Sequence, residues 1–383
     1  MVEGPMTHTP RRIILYLVTL LLINQLPFFS THAQEPLTAP DITPEKNPDL
    51  LIILSPQYQN EIVLSTAIHS YITAIYHDLG WTTTLITIQD QENDYRQIDT
   101  LIETSNTNHT LKACIMVGED LHTALGGDTD YLEQPSTLPW MTLGGPTAYN
   151  TAAQGIIAAP TTIQLCISLL YPPQTLTHEQ KTASLIFAFQ KFSTQRHHPL
   201  HQPIHVFESS DLNIHSKPLY QHLSDHHQLK YIEDGTTKEI TTALSTPSSA
   251  FFVHGHSNPS GTDCNAQKNT GWFPAQTLDL LHTPLFGADG CYTAGWWSTQ
   301  KDNNHLDISS DKNYYGAKIF TSASLQVLVL GMLSQNGFST PVSFIENTMP
   351  ELLHGKTLAE AMIGDTTIGD TLIIGDPTFH YTL

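Results

Sequence analysis

Apolar and polar positions alternate along this chain in two ways, as short, wholly apolar runs and as longer stretches with helical spacing. The apolar runs of the first half predict buried strands at Leu50–Leu54, 81–88 and Ala113–Val117. Residues 60–79 repeat apolar side chains at helical spacing up to Gly80, which predicts a helix that ends there. Strands that alternate with helices are typical of parallel βαβ units.

The same alternation restarts after a polar, proline-broken connector at 196–203. Further strands are predicted at 204–208, 229–232, 250–253, 285–286, 317–323 and 371–374. Further helices are predicted at 94–104, 160–170, 177–192, 217–223, 238–244, 278–281, 325–333 and 357–362. The predicted fold class is therefore α/β, with two consecutive, open, mostly parallel α/β subdomains at 34–200 and 201–383.

The first 33 residues have the pattern of a secretory signal peptide, which would be removed from the mature protein. Arg11 and Arg12 precede an apolar run at 13–23, and a small-residue cleavage site ends at Ala33. Spanning a bilayer takes about 20 apolar residues, so cleavage is preferred over the alternative of an uncleaved membrane anchor. We expect an exported protein, periplasmic, cell-surface or extracellular, with no stable membrane insertion after cleavage.

Charge and cysteine content narrow the function classes. The net charge is −20, with 16 Lys+Arg against 36 Asp+Glu. This argues against a nucleic-acid partner, because such binding depends on basic groups that neutralise phosphates. Among the four cysteines, Cys114 and Cys166 lie inside apolar runs and are expected to be buried thiols. For the other two cysteines, Cys264 and Cys291, the alternative to free thiols is a disulfide between them.

Two patches join an apolar run to reactive side chains and glycine. One covers 250–257 and contains His254 and His256, and the other covers 285–296 and contains Cys291. Neighbouring parallel strands bring their carboxyl ends to one edge of a sheet, where α/β proteins carry their sites. Because a thiol beside an imidazole is an activated nucleophile, the sequence predicts a catalytic pair of Cys291 with one of the two histidines. The alternative for Cys291 is a buried structural thiol.

Small residues around these side chains predict the rest of the site. His256 is preferred over His254 as the acting imidazole, because small residues flank it on both sides. Trp296 and Trp297 are candidate walls of a substrate cleft, with core packing as the alternative. The candidate backbone positions for an oxyanion hole are Gly255, Ser257, Gly290 and Cys291 itself.

Several motifs resemble those of the gingipain-type, caspase-like cysteine peptidases. Residues 291–296 read Cys-Tyr-Thr-Ala-Gly-Trp and match that family's Cys-x-Thr-Ala-x-aromatic motif. Residues 372–378 match its last apolar strand followed by Gly-Asp-Pro-Thr, and 319–323 match a strand near its specificity pocket. The resemblance covers 48–383. Residues 255–258 read Gly-His-Ser-Asn, where the family usually has Gly-His-Gly-Ser.

The resemblance implies a caspase-like sandwich and an exported cysteine endopeptidase, which hydrolyses peptide bonds of a protein or peptide substrate through a Cys–His dyad. It implies no required cofactor and leaves room for a structural calcium ion. It also implies an acidic pocket for Arg or Lys, for which Glu119, Asp120 and Asp289 are candidates. A catalytically inactive exported binding or scaffold protein with the same fold is the alternative. No sequence pattern assigns an oligomeric state.

Histidine and Gly-Asp clusters are weaker signals. The histidines of 197–201 and 222–227 come without cysteines at zinc-site spacing, so solvated side chains are expected. Gly-Asp pairs at 364–365, 369–370 and 375–376 are expected to be turns rather than calcium ligands. No metal site is predicted from these residues.

Overall fold

The apolar runs of both halves of the chain join in one mixed sheet, which has ten strands within the described residues. The computed structural model describes residues 47–88, 95–118, 124–126, 134–136, 141, 162–212, 228–258, 260–265, 267–268, 270–290, 293, 313–331, 344–365 and 371–382. Its first strands are β1 (Leu50–Leu54), β2 (Thr83–Thr87), β3 (Ala113–Val117), β4 (Ala124–Gly126), β5 (Gln134–Ser136), β6 (Cys166–Leu170), β7 (His198–Pro199), β8 (Ile204–Glu208) and β9 (Leu229–Glu233). The later strands are β10 (Ala250–His254), β11 (His256–Asn258), β12 (Gly261–Asp263), β13 (Trp272–Pro274), β14 (Leu285–Asp289), β15 (Val327–Gly331), β16 (Thr371–Gly375) and β17 (Tyr381–Thr382).

The order across the large sheet is β2-β1-β3-β6-β16-β15-β14-β10-β8-β9. Its neighbouring strands are parallel except for β15 and β16, which are antiparallel. As a result, the carboxyl ends of β1, β2, β3, β6 and β16 lie at one edge, and those of β8, β9, β10, β14 and β15 lie at the other. The predicted α/β class with a mostly parallel sheet is confirmed.

Helices connect these strands, and some of them begin where the sequence supplies a cap. They are α1 (Ile62–Leu79), α2 (Tyr95–Ser105), α3 (His178–Thr194), α4 (Thr237–Leu244), α5 (Met349–Leu353) and α6 (Leu358–Met362). Shorter 3₁₀ segments are Pro56–Tyr58, Ser210–Leu212, Ala275–Leu280 and Tyr315–Phe320, and Phe344–Thr348 is a π-helical turn. Thr177, Thr236 and Thr357 each form a capping box, in which a threonine and the Gln or Glu three residues later satisfy each other's backbone N–H groups. Helix α1 ends at Gly80 with φ 70°, as predicted.

Aromatic side chains fill the space on both faces of the second-half strands. On one face Tyr315 stacks on Phe286 with 5.5 Å between ring centroids. The segment that carries Tyr315 also contacts α3, which packs against α1. On the other face Phe252 lies 6.4 Å from Phe344, measured between ring centroids. Because successive strand residues point to opposite faces, the sheet is covered on both sides, as a mostly parallel sheet requires.

The connector at 196–203 is anchored to both halves of the fold through its first residue, Arg196. The Arg196 side chain is 8% exposed and pairs with Asp78 at 2.8 Å and with Asp376 at 2.7 Å. Its Nη1 also donates a hydrogen bond to the Thr378 hydroxyl at 2.8 Å. Strands of the two halves meet where β6 pairs with β16, and residues 44–383 form one compact unit.

Three local predictions were wrong. The predicted helix at 160–170 is replaced by strand β6, and the predicted helix at 325–333 by strand β15. The predicted strand at 317–323, including the 319–323 match to the peptidase family, is the 3₁₀ segment Tyr315–Phe320. Strands buried on both faces lack the alternation of a half-exposed strand, so their apolar runs cannot be told from buried helices by period alone.

The N-terminal 46 residues, with the predicted signal peptide, lie outside the described residues, as does the predicted helix at 217–223. Within the ranges that are described, no helix has the length and apolar character needed to cross a membrane.

Candidate active site

The two reactive patches lie on adjacent parallel strands. In the register of β10 and β14, Phe251 is paired with Phe286, and His254 with Asp289. The backbone N–H of Gly255 then donates to the carbonyl oxygen of Asp289 at 3.1 Å, which continues the pairing one residue past β10. The predicted neighbourhood of the two strand ends is therefore present.

His254 is inside the protein. Its side chain has no solvent exposure, and its Nδ1 atom lies 3.7 Å from Oδ2 of Asp289, which is also buried. Asp289 was a candidate for an acidic substrate pocket, but its 3% exposed carboxylate faces this buried imidazole instead. The pair joins the ends of β10 and β14 below the surface.

His256 is at the surface, as the first residue of β11. Its side chain is 56% exposed, and its Nε2 atom lies 3.0 Å from Oδ2 of Asp211. Asp211 comes from the 3₁₀ segment that follows β8, the strand next to β10 in the sheet. Three successive strand ends thus supply Asp211, His256 and, after β14, the residues that precede Cys291.

Asp211 is the site residue that sequence reasoning missed. Partial burial raises the pKa of its carboxyl group. Hydrogen bonds from Ser209 and His256 and the charge of His256 together lower this pKa by more, so the net shift is downward. The Ser209 hydroxyl donates to Oδ1 of Asp211 at 2.5 Å. A carboxylate ionised at neutral pH therefore faces one nitrogen of the exposed imidazole. The signal in the sequence was its place just beyond a buried strand, three residues after Glu208.

A small antiparallel sheet presents His256 on its outer face. Across β11, β12 and β13, His256 is paired with Asp263, which is paired with Trp272. Directly opposed residues of antiparallel strands point to the same face, and Trp272 is 38% exposed. The neighbouring row, from Ser257 to Phe273, faces inwards, where Phe273 is 1% exposed.

Ser257 holds residues 255–257, the histidine loop, against the end of β14. Its hydroxyl donates to the carbonyl oxygen of Gly255 at 3.1 Å and lies 2.8 Å from the Thr262 hydroxyl. A Cβ atom at Gly290 would overlap both the Gly255 carbonyl oxygen and the Ser257 hydroxyl, so only glycine fits there. The chain therefore leaves β14 in contact with the histidine loop, one peptide bond before Cys291.

One predicted oxyanion donor is excluded by the backbone pairing. The N–H of Gly255 already donates to Asp289, so this group is not free to bind a substrate oxygen. The Gly255 candidate is therefore corrected to a structural role, in which its lack of a side chain is required by contact with the Asp263 carbonyl oxygen.

Cys291, Trp296 and Trp297 lie outside the described residues. Thr293, two residues after the cysteine and part of the Cys-x-Thr-Ala motif, is buried. Its hydroxyl donates to the carbonyl oxygen of Gly331 at 2.5 Å and approaches that of Ala288 at 3.4 Å. The motif threonine is thus attached to the ends of β14 and β15.

The other three cysteines are buried free thiols. Burial raises the pKa of Cys114, Cys166 and Cys264 far above that of an exposed thiol, so none of them is a reactive nucleophile. Because Cys264 is free, the alternative of a Cys264–Cys291 disulfide is wrong.

The other two candidates for an acidic pocket, Glu119 and Asp120, come shortly after β3 in the sequence. Glu119 and Asp120 are not described, but Gly118 just before them follows β3, whose carboxyl end lies at the edge opposite His254. Asp376 accepts hydrogen bonds from Tyr71 and Arg196, so this Gly-Asp pair belongs to a structural network.

Metal-binding candidates have other contacts. Asp365 lies near Thr348, with 3.5 Å between oxygens, and 369–370 are outside the described residues. His197 and His201 are exposed as expected, whereas His198 is partly buried, with its ring centroid 5.0 Å from that of Phe379. In the described ranges, no group of three or more His, Cys, Asp or Glu side chains could hold a metal ion.

Comparisons with known proteins identify structures that have a similar fold. No protein-family model matches the chain, and no curated protein matches it. The crystal structure of the Arg-specific cysteine proteinase gingipain R (RGPB) aligns with 88% of this chain and 79% of its own, with a TM-score of 0.54 and 12% identity. The complex of Porphyromonas gingivalis RgpB pro- and mature domains aligns with 87% of this chain and 79% of its own, with a TM-score of 0.53 and 13% identity. The chain therefore has a gingipain-like α/β fold.

Proposed function

We propose that this protein is an exported cysteine endopeptidase, which hydrolyses peptide bonds of protein or peptide substrates through Cys291 and His256. The main support is the exposed His256 ring held 3.0 Å from Asp211, at the sheet edge where β14 ends just before Gly290. The cysteine proteinase gingipain R, which shares the fold, makes this chemistry the natural expectation for such a site.

The choice between the two histidines rests on their exposure. Acid–base catalysis requires the imidazole to be within hydrogen-bonding reach of the reacting group. His254 has no solvent exposure and faces Asp289, whereas His256 is 56% exposed. We assign proton transfer to His256, and to His254 the positioning of the two strand ends.

The chemical steps follow from the orientation of the His256 ring. Its Nε2 atom faces Asp211, which leaves Nδ1 to take the thiol proton of Cys291 and to give a proton to the leaving amine. The thiolate forms a bond to the scissile carbonyl carbon, the C–N bond breaks, and water then hydrolyses the acyl-enzyme. Asp211 fixes the ring orientation and stabilises the imidazolium that forms when the ring takes the thiol proton, as the third member of other proteolytic triads does.

The oxyanion of the tetrahedral intermediate needs backbone donors. Because Gly255 is excluded, we assign this role to the backbone N–H groups of Cys291 and Ser257, with Gly290 supplying the close approach. A donor of this kind stabilises the transition state by about 3 kcal/mol.

The outer face of the small sheet is the surface that a substrate would cross. His256, Asp263 and Trp272 stand in one row on it. An extended peptide along this row would contact the exposed part of the Trp272 ring, while Trp296 and Trp297 remain candidate walls from the cysteine side.

Export is proposed from the basic flank, apolar run and small-residue site within residues 11–33. Protein secreted from cells that express the full chain is expected to begin at Gln34 when its N-terminus is sequenced. Recovery of the chain with an intact N-terminus in the membrane fraction would contradict cleavage.

The proposed activity is tested by incubating the purified protein with a peptide library and identifying cleavage sites by mass spectrometry. Wild type is expected to cleave internal bonds, and Cys291→Ala to lose at least about a thousandfold in rate. Cys114→Ala is the matched control, because Cys114 is buried in β3. Cleavage by Cys291→Ala, or no cleavage by wild type, would contradict the proposal; the latter result favours an inactive binding or scaffold protein.

A further inference from the structure

A cavity lies at the edge of the large sheet, between the edge strand β9 and helix α4. Its volume is about 560 Å³, within the range of about 300–1,000 Å³ for small-molecule sites. Its lining includes His205, Lys230, Ile232, Lys238, Thr242 and Ala243.

The floor of this cavity carries a buried imidazole without a hydrogen-bond partner. His205 is 3% exposed, and its ring is stacked on Phe251, with centroids 5.6 Å apart and planes within 7°. Neither of its ring nitrogens has a hydrogen-bond partner among the described residues. Buried polar atoms are normally satisfied, so this ring needs a partner that the described protein atoms do not supply.

The His205 ring is neutral at physiological pH. Burial, followed by the positive charge of Lys230, lowers its pKa to about 4. A neutral imidazole has one N–H donor and one acceptor nitrogen. The buried ring can therefore donate a hydrogen bond to an acceptor on a bound molecule.

The charged side chains of the cavity favour an anion. Lys230 stands beside His205 in the register of β8 and β9, and Lys238 approaches from α4. The acidic side chain in the lining, Glu239, accepts hydrogen bonds from the backbone N–H and hydroxyl of Thr236, both at 2.8 Å. This local excess of positive charge occurs in a chain with only 16 Lys+Arg against 36 Asp+Glu.

The geometry points to a binding site for a small organic carboxylate with an apolar body. The two ammonium groups would bind the carboxylate, the His205 N–H would donate to it, and Ile232 and Ala243 would contact the apolar part. Strand β10 rises about 3.3 Å per residue, so the three positions from Phe251 to His254 separate the level of the cavity floor from the strand end at the candidate active site by roughly 10 Å. The inference does not rest on the proposed function.

Binding is tested by calorimetry on the full chain with N-acetyl-phenylalanine as the probe and its uncharged amide as the matched ligand. The carboxylate is expected to bind, and the amide to bind at least about tenfold more weakly, because charge-assisted hydrogen bonds are lost. Equal binding of acid and amide, or no binding of the acid, would overturn the proposal.

Variants locate the site. Lys230→Gln and Lys238→Gln are each expected to weaken binding of the acid by about tenfold. Lys356→Gln, which removes an exposed ammonium group elsewhere, should leave binding unchanged. Unchanged binding in both cavity variants would place the ligand elsewhere and overturn the assignment.

His205→Phe separates binding from folding. Phenylalanine keeps a ring that can stack on Phe251 but has no nitrogen, so the variant should lose affinity for the acid while its melting temperature stays equal or rises. A variant with full affinity would contradict the role of the imidazole. If His205→Phe fails to fold, His205→Leu provides the same comparison.

Discussion

The Nε2 atom of His256 lies 3.0 Å from Oδ2 of Asp211, although 45 residues separate them in the chain. This contact joins the 3₁₀ segment after β8 to the first residue of β11 at one edge of the large sheet. It fixes which ring nitrogen faces the protein and which is left for a reacting group.

Removal of the Asp211 charge should slow catalysis without preventing folding. Asp211→Asn keeps the size of the side chain but no longer stabilises a protonated His256 ring. We expect kcat to fall by about a hundredfold with a smaller change in KM. Steady-state kinetics on a peptide identified from the library provide the measurement. Glu103→Gln, an exposed change on α2, is the control and should keep wild-type kcat.

If Asp211→Asn retained wild-type kcat, the carboxylate would have no part in orienting the imidazole. Partial recovery of kcat in Asp211→Glu would support the charge, as opposed to the shape of the side chain, as the active feature.

A side chain at position 290 should push the histidine loop away from the strand end. In Gly290→Ala the new methyl group would overlap the Gly255 carbonyl oxygen and the Ser257 hydroxyl, so we expect a loss of kcat/KM of at least about tenfold. The control is Gly364→Ala, because Gly364 also has positive φ, 90°, but nothing lies within 4 Å of its added Cβ. Wild-type kcat/KM in Gly290→Ala would contradict the close approach of β14 to the loop.

The Gly-Asp-Pro-Thr motif should govern stability rather than chemistry. Asp376 pairs with the buried Arg196 at 2.7 Å, at the edge of the sheet opposite His256. Asp376→Asn leaves a buried guanidinium with less compensation, and we expect the free energy of unfolding to fall by about 3 kcal/mol. Urea denaturation provides the measurement.

Glu351→Gln is the control for Asp376, because Glu351 pairs with Lys356 on the surface, where such pairs contribute at most about 1 kcal/mol. A loss of activity per folded Asp376→Asn molecule, with unfolding free energy unchanged, would contradict a structural role.

Stability should fall on mild acidification, in part through His198. Burial lowers the pKa of this imidazole to about 4, against weaker opposing effects of nearby groups. Between this value and the ordinary pKa of about 6.5, the unfolded chain binds a proton that the folded protein does not. The free energy of unfolding contributed by His198 is therefore fully present above about pH 6.5 and is lost as pH falls through 4.

In His198→Phe the difference in unfolding free energy between pH 7 and pH 5 should shrink by about 2 kcal/mol. Urea denaturation at the two pH values measures it, and His201→Gln, an exposed neighbour, should keep the wild-type difference. An unchanged difference in His198→Phe would show that the ring is protonated equally in both states.

Local sequence patterns were sufficient for most of the strands that position the site. Ala250–His254 and Leu285–Asp289 are apolar runs bounded by turn residues, and their adjacency follows from parallel α/β topology. Val327–Gly331 was assigned to a helix because a run buried on both faces has no alternation. This run forms a strand because it pairs with β14 and β16, and that pairing is not encoded within the run.

In the candidate site, too, some features followed from local sequence and others depended on contacts between distant segments. The preference for His256 over His254 followed from its small neighbours, whereas Gly290 was predicted only as a backbone position of the oxyanion hole. The participation of Asp211 did not follow from local sequence, because it depends on a contact between distant segments, and no local pattern distinguishes that aspartate from other surface acids. The burial of His254 likewise depended on its position within the strand, where it faces Asp289 from the next strand.

The most direct test of the central claim is the pH dependence of iodoacetamide alkylation at Cys291, followed by mass spectrometry in wild type and in His256→Ala. Paired with His256, the thiol should react with an inflection well below the ordinary value of about 8.5, and His256→Ala should return the inflection to that value. The same inflection near 8.5 in both proteins, or alkylation of Cys291 as slow as that of buried Cys114, would contradict the assignment of a Cys291–His256 pair.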